Sequence, residues 1–578
     1  MGWRKQGAAF LAGGASVLAY APFELFPVAA VSLGVLFWLL GPGAPASLCA
    51  DSRGRRARGG FGIGFAWGLG AMLAGVSWLY VALNRFGGMP MPLAGLAVLL
   101  FCAFMGLFAG FSGALFGALR QGRAGRDALL FAAALTAQAQ QGGISGEMLN
   151  QIKQSYKATP ADKAIRNALG GTSINTLALN QENRADFDTE FSHKVLSKGI
   201  TDQQSSGRCW LFTGLNVLRS QMIAKYGLDE MEFSQNYCFF YDQLEKANLF
   251  LQGIIDTSGK PMDDKMVEWL FKHPLSDGGQ FTGVSDIIEK YGLVPKSAMV
   301  ETFSSENTGK MSSLIGLKLK EFGLQLREAA ATGAKPAELE KKKTEMLGTV
   351  YRMLVLTLGE PVSTFTWSLK GGEAKEYTPV SFYKEFLGND LTNNYVMLMN
   401  DPSREFYKCY EIDFDRHRYD GKNWTYVNLP IEDIKEIAIA SIKDSTMMYF
   451  SCDVGKFLDS KRGLLDPDNY DYESLMGTTF GMDKKQRIQT FSSGSSHAMT
   501  LMAVDLDKAG KPKKWMVENS WGSASGYRGH LIMTDKWFDE YMFRVVAEKK
   551  YVPAKVLDIL KQKPIRLPAW DPMFADEE

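Results

Sequence analysis

Between Phe86 and Leu119 the chain runs without one charged residue, and a second such run covers Phe61–Leu83. Both exceed the ~20 apolar residues that cross a bilayer, so both read as membrane helices. Gly7–Phe23 and Leu25–Ala50 are uncharged as well, and Pro22 and Pro27 separate a short first helix from a second, for about four spans. The basic residues sit between these runs: Arg4 and Lys5 before the first span, "DSRGRRAR" (51–58) after the second and "RQGRAGR" (120–126) after the fourth. Every cluster therefore falls on one side, which the positive-inside rule makes cytoplasmic. Residues 1–126 carry ten Lys/Arg against two acids, a net +8 in a chain of net +1, which leaves −7 for the rest. A mildly acidic larger part argues against nucleic acid as a partner.

"DALLFAAALTAQAQQ" (127–141) follows. Preceding arginines, an apolar core of about ten residues and Ala137-Gln138-Ala139 make it signal-peptide-like, with cleavage expected near Ala139. The alternative is a fifth membrane helix. Both place everything after Gln140 outside the cytoplasm.

From Gly142 the chain has the charge density of a soluble α/β protein. In "DQQSSGRCWLF" (202–212), Ser206 is expected to cap an amphipathic helix beginning near Arg208 and marked by Leu211, Leu215, Leu218 and Met222. Cys209 then lies in its first turn. A further helix is expected from Pro336 to Gly359, and "HAMTLMAVDLD" with "KKWMVENSW" is expected to form a hairpin. The six cysteines form no CxxC pair and no metal spacing, so neither metal nor cofactor is expected. Cys238, Cys409 and Cys452 read as buried apolar residues.

Cys209 is left for chemistry. A cysteine nucleophile needs a stabilised thiolate, a base, a group that orients the base, and donors for the oxyanion. The helix N-terminus favours thiolate. Gln203, six residues earlier, can aim its amide at the oxyanion beside the Cys209 N–H. Of five histidines, only His497 starts a strand whose hairpin partner ends in "ENSWG", where Asn519 can bond the imidazole and Trp521 shield that bond.

The order Gln203, Cys209, His497, Asn519 resembles that of papain-like cysteine peptidases. "SGRCW", "SQNYCFFYDQLEKAN" (234–248), "DGGQ" (277–280), "CDVGKF" (452–457), "YDYESLMG" (470–477) and "HLIMTDKWFDEYMF" (530–543) narrow the resemblance to the bleomycin hydrolase / aminopeptidase C branch, over roughly residues 142–573. It implies an α+β papain-like fold with a long insertion between Cys and His, an aminopeptidase acting on peptides through an acyl-enzyme, and a homohexamer once the chain is processed. It also implies a C-terminal arm lying in the cleft, whose end binds the substrate amine. Gln280 and the terminal Glu578 are thus substrate-binding candidates, although the ending "FADEE" departs from the family.

"YAPFELFPVAAVSLGVLFWLL" (20–40) and "GFAWGLGAMLAGVSWLYVALNRFGGMPMPLA" (64–94) resemble the opening helices of apolipoprotein N-acyltransferase, without its catalytic domain. The expected organisation is an all-α transmembrane segment (1–126), a signal-like segment (127–141) and a peptidase domain (142–578), at a bacterial inner membrane with the peptidase periplasmic. Two competing readings are an acylation-related membrane protein without a catalytic domain and a non-catalytic, membrane-tethered peptide-binding module.

Overall fold

The computed structural model describes residues 2–19, 26–41, 53–86, 89–119, 126–127, 143–183, 188–370, 372–571 and 573. Ala139 and most of the signal-like segment, Arg120 and Arg123, and Glu578 with the rest of the "FADEE" tail lie outside the described residues. The chain divides into two compact units, Met1–Ala158 and Thr159–Glu578.

The first unit is helical: α1 (Gly2–Ala15), α2 (Phe26–Leu40), α3 (Arg53–Gly75) and α4 (Met91–Leu119). Among the described residues, α4 alone is long and apolar enough to cross a membrane by itself. The residues of α3 from Arg56 and the short helix after it pass together as a pair bent by 52°. At 14 and 15 residues, α1 and α2 are about 21–23 Å long, short of a ~30 Å hydrocarbon core. The expectation of four spans counted uncharged residues and not unbroken helix. Glycines let α3 and α4 approach until backbones touch: a Cβ on Gly60 would strike the Gly113 carbonyl, and one on Gly64 that of Ala109.

The second unit is α+β. Its helices include α5 (Cys209–Tyr226), α6 (Gln235–Asp256), α7 (Phe281–Tyr291), α8 (Thr308–Ala331) and α9 (Pro336–Leu358). Its main strands are β1 (Tyr395–Met399), β2 (Lys408–Ile412), β3 (Thr425–Asn428), β4 (Met448–Cys452), β5 (His497–Leu506), β6 (Pro512–Glu518), β7 (His530–Thr534), β8 (Met542–Glu548) and β9 (Ile565–Leu567). They form one 12-stranded sheet, whose order through these strands is β9-β2-β3-β1-β8-β4-β5-β6-β7.

β5 lies near the middle of the sheet with its first eight residues buried, which is why "HAMTLMAV" is almost continuously apolar and does not alternate. The expected hairpin is present as antiparallel β5 and β6. The expected helix is α9, ended by Gly359 at φ 88°, a backbone angle that glycine adopts at little cost. α5 departs from expectation: it is buried on nearly every side from Trp210 to Arg219 and is the central helix of the unit, not an amphipathic surface helix. α5 to α9 enclose one hydrophobic core and β4 to β8 contribute about half of a second. Cys209 packs against the first, and the strand that carries His497 runs into the second.

Candidate active site

Cys209 is the first residue of α5 and is half-buried. The expected Ser206 cap does not form. Its hydroxyl instead donates to the Gln203 carbonyl (2.6 Å) and accepts from Arg208 Nε (3.1 Å). Arg208 has a task of its own, pairing with Glu301 at 2.8 Å in the interior between Phe212 and Phe239. Ser206 and Arg208 thus shape the loop that delivers Gln203.

Gln203 is held at both ends. Its Oε1 accepts from the Ser520 hydroxyl (2.7 Å) and its Nε2 donates to the Ser206 carbonyl (2.6 Å), while its backbone N–H donates to the Ser520 carbonyl (2.8 Å). A primary amide has two N–H donors, so one remains for the cleft that Gln203 lines.

His497 opens β5 and is buried, with Nε2 2.8 Å from Asn519 Oδ1 and its ring stacked on Trp521 at 4.8 Å between centroids. The tautomer follows from the neighbours. The Ser520 N–H donates to the same Asn519 oxygen (2.8 Å), which fixes the amide orientation. Turning it over would set the amide NH2 against that N–H, a worse outcome than the unpaired Nδ2 present now. His497 Nε2 therefore carries the proton, and Nδ1 is left as the base.

Cys209, His497, Gln203 and Gln280 line one cleft of about 590 Å³; Asn519 stands behind His497. Gln280 lies just before α7, its Oε1 accepting from Arg544. The other guanidinium nitrogen of Arg544 donates to the Met573 carbonyl at 2.5 Å. Met573 also lines the cleft, at the end of an arm that pairs β9 parallel to β2 and is pinned by Arg404 to Asp571 at 2.5 Å. Arg544 thus ties the arm to the cleft wall, a link not visible in the sequence because Gln280, Arg544 and Met573 are far apart in the chain. Among the described residues no other histidine lines this cleft; His417 is buried against Trp210, its Nδ1 hydrogen-bonded to Asp242, and burial lowers its pKa.

Electrostatics correct one expectation. Burial pushes the Cys209 thiol up to about 11, and the N–H groups of Ala498 and Trp210 only partly offset it. Burial likewise pushes the His497 imidazole down to about 4, against the Asn519 bond. A helix N-terminus does not by itself yield a thiolate here. Ionisation instead requires proton transfer from Sγ to Nδ1, each new charge being stabilised by the other.

A cysteine at a helix start, sharing one cleft with a strand-borne histidine backed by asparagine, on an α+β scaffold with two cores, is the arrangement of papain-like thiol peptidases. Residues 143–574 match the Peptidase C1-like family, and the chain belongs to that family. It is 37% identical over 449 residues to bleomycin hydrolase of Mus musculus, covering 75% of this chain and 98% of that protein. It is 34% identical over 442 residues to aminopeptidase C of Lactobacillus delbrueckii subsp. lactis, covering 75% and 98%. The crystal structure of PepW from Lactobacillus rhamnosis HN001 superposes with a TM-score of 0.72 at 36% identity, over 75% of this chain and 100% of that one. Residues 12–139 match the apolipoprotein N-acyltransferase N-terminal domain.

Proposed function

We propose that this protein is a cysteine aminopeptidase, carried by the convergence of Cys209, His497 and Gln203 on one cleft with Asn519 orienting the imidazole. Cys209 Sγ attacks the scissile carbonyl as its proton passes to His497 Nδ1. The resulting oxyanion accepts from Gln203 Nε2–H and the Cys209 N–H. Collapse breaks the C–N bond and His497 returns the proton to the leaving amine, leaving a thioester on Cys209. His497 then takes a proton from water, hydroxide adds to the thioester, and the carboxylic acid departs as the thiol is restored.

The arm supports removal of single N-terminal residues, since Met573 occupies the cleft wall and the tail beyond it ends in acids that attract an α-ammonium. Gln280 is assigned to substrate binding through its place on that wall, and Glu578 to capture of the amine. Aminoacyl fluorogenic substrates with free and N-acetylated amino termini test this under reducing conditions. Cleavage of the free amines alone supports it; cleavage of both indicates an endopeptidase.

For the first unit we infer insertion into a bacterial inner membrane through about four apolar segments, with the peptidase domain periplasmic. The apolipoprotein N-acyltransferase match runs to residue 139, through the signal-like segment, and so favours a tethered peptidase. Cleavage near Ala139 would instead release a domain free to form the homohexamer that the sequence resemblance implies. N-terminal sequencing of the protein from membranes separates the two.

A further inference from the structure

Asp277 embraces the nucleophile from both sides in sequence. Its carboxylate Oδ2 accepts from the N–H of Gly207, two residues before Cys209, at 2.7 Å, and its carbonyl accepts from the indole N–H of Trp210, the residue after, at 2.9 Å. The Thr308 hydroxyl also donates to Oδ2. Gly207 must be glycine here, because a Cβ would overlap this carboxylate.

Asp277 is the one acidic side chain among the described residues that line the cleft, and it is only half-buried. Its charge opposes the chemistry so far derived: beside Cys209, it makes the thiol harder to ionise. An asparagine with its amide oxygen in the place of Oδ2 could accept from both Gly207 and Thr308 without that penalty. Arg208, close enough to feel the Asp277 charge, is already paired with Glu301 at 2.8 Å, Lys246 pairs with Asp242, and Arg544 on the cleft lining donates to Gln280 and Met573. A negative charge thus faces the cleft at a cost to the nucleophile, with Oδ1 open to a further donor.

We infer that Asp277 is a specificity determinant, its carboxylate receiving the positive charge of the substrate residue that acylates Cys209. That charge is either the α-ammonium or the side-chain cation of an N-terminal lysine or arginine. The inference deepens the aminopeptidase reading and rests on it for the identity of the substrate. A bound cation also cancels the Asp277 charge at Cys209, so that the thiolate forms more readily with substrate in place than without it.

Two sets of measurements on the full-length protein in detergent test this. First, Cys209 is alkylated with 2-bromoethylammonium, iodoacetamide and iodoacetate, and modification is followed by mass spectrometry. Relative to a neutral model thiol in the same buffer, the wild-type protein should prefer the cationic reagent over the anionic one by at least about tenfold, a preference that falls with salt. Asp277→Asn should abolish this preference and move iodoacetamide reactivity to lower pH, with Tyr449 and Cys452 still close enough to couple to the thiol and His497 and Arg544 still on the cleft lining. Thr308→Val, which loosens Asp277 but keeps its charge, should retain the preference.

Second, kcat/KM is compared for Ala, Arg, N-acetyl-Ala and N-acetyl-Arg amides. Loss in Asp277→Asn on free-amine Ala assigns the contact to the α-ammonium, and loss on both arginine substrates assigns it to the side chain. A wild-type preference no greater than that of the model thiol overturns the inference, as does unchanged discrimination in Asp277→Asn or an equal loss in Thr308→Val. A wild-type protein that hydrolyses none of the amides refutes the aminopeptidase reading, while the alkylation ratios still decide the role of Asp277.

Discussion

His497 Nε2 and the backbone N–H of Ser520 meet on a single oxygen, Asn519 Oδ1, each at 2.8 Å. Two donors on one acceptor set the imidazole tautomer, and with it the nitrogen left as the base. The orientation of the base therefore depends on the main chain after Asn519 as well as on its side chain.

Asn519→Ala should lower kcat by about 10-fold to 100-fold with little change in KM, because it frees the ring to rotate without removing the base. Asn519→Asp should keep the bond but place a carboxylate against the ring, raising the His497 pKa by one or more units, on the order seen for close opposite charges. Kinetics against pH would show this as an acid limb moved upward; an unmoved limb would mean that Asn519 does not face the catalytic base.

The wild-type pH profile should be broad. With the imidazole held near 4 and the thiol near 11, the pair keeps one shared proton across that whole interval, whichever atom holds it. Activity should fail on the acid side only near about 4, as a second proton arrives. On the alkaline side free-amine substrates should decline earlier, near about 8, where their own α-ammonium is lost. The same shift has a stability consequence. His497 titrates near ~6.5 when unfolded, so between pH 6.5 and about 4 the unfolded chain binds more protons and stability falls as pH is lowered. Above 6.5 this group contributes no slope. An acid limb near 6.5, or acid-insensitive melting between these values, would contradict the burial of His497.

Gln203→Ala should cost about 10²-fold to 10³-fold in kcat with KM within a few-fold, since the oxyanion exists only beyond the ground state. It also removes bonds to Ser206 and Ser520, so melting should fall as well. A rise in KM with kcat intact would recast Gln203 as a ground-state contact.

Deleting 574–578 leaves Met573 and its bond to Arg544 in place but removes the acidic end. Cleavage of N-acetylated substrates should appear, with weaker selection for a free amine. An unchanged ratio between the two substrate classes would show that the tail is no ruler.

Much of the site was legible because its determinants are local. Cys209 lies six residues after Gln203, and His497 opens one strand of a hairpin while Asn519 directly follows the end of the other, so spacing alone brings each pair together. What escaped is long-range. Asp277 reaches Gly207 across 70 residues and Arg544 reaches Gln280 across 264, and neither contact leaves a periodicity. The thiol expectation failed for a related reason: a helix terminus can be read from Ser206 to Met222, but burial depends on everything that packs around α5. Ser206 illustrates the same limit, because its hydroxyl was claimed by Gln203 and Arg208 and not by the helix.

The central claim, that Cys209 carries the acyl group, is tested most directly by quenching the enzyme in acid during turnover of an aminoacyl ester and locating the adduct by mass spectrometry. The account predicts one aminoacyl mass on the peptide containing Cys209, absent in Cys209→Ser and labile to hydroxylamine as a thioester. Turnover with no adduct there, or with the adduct on another residue, would contradict it.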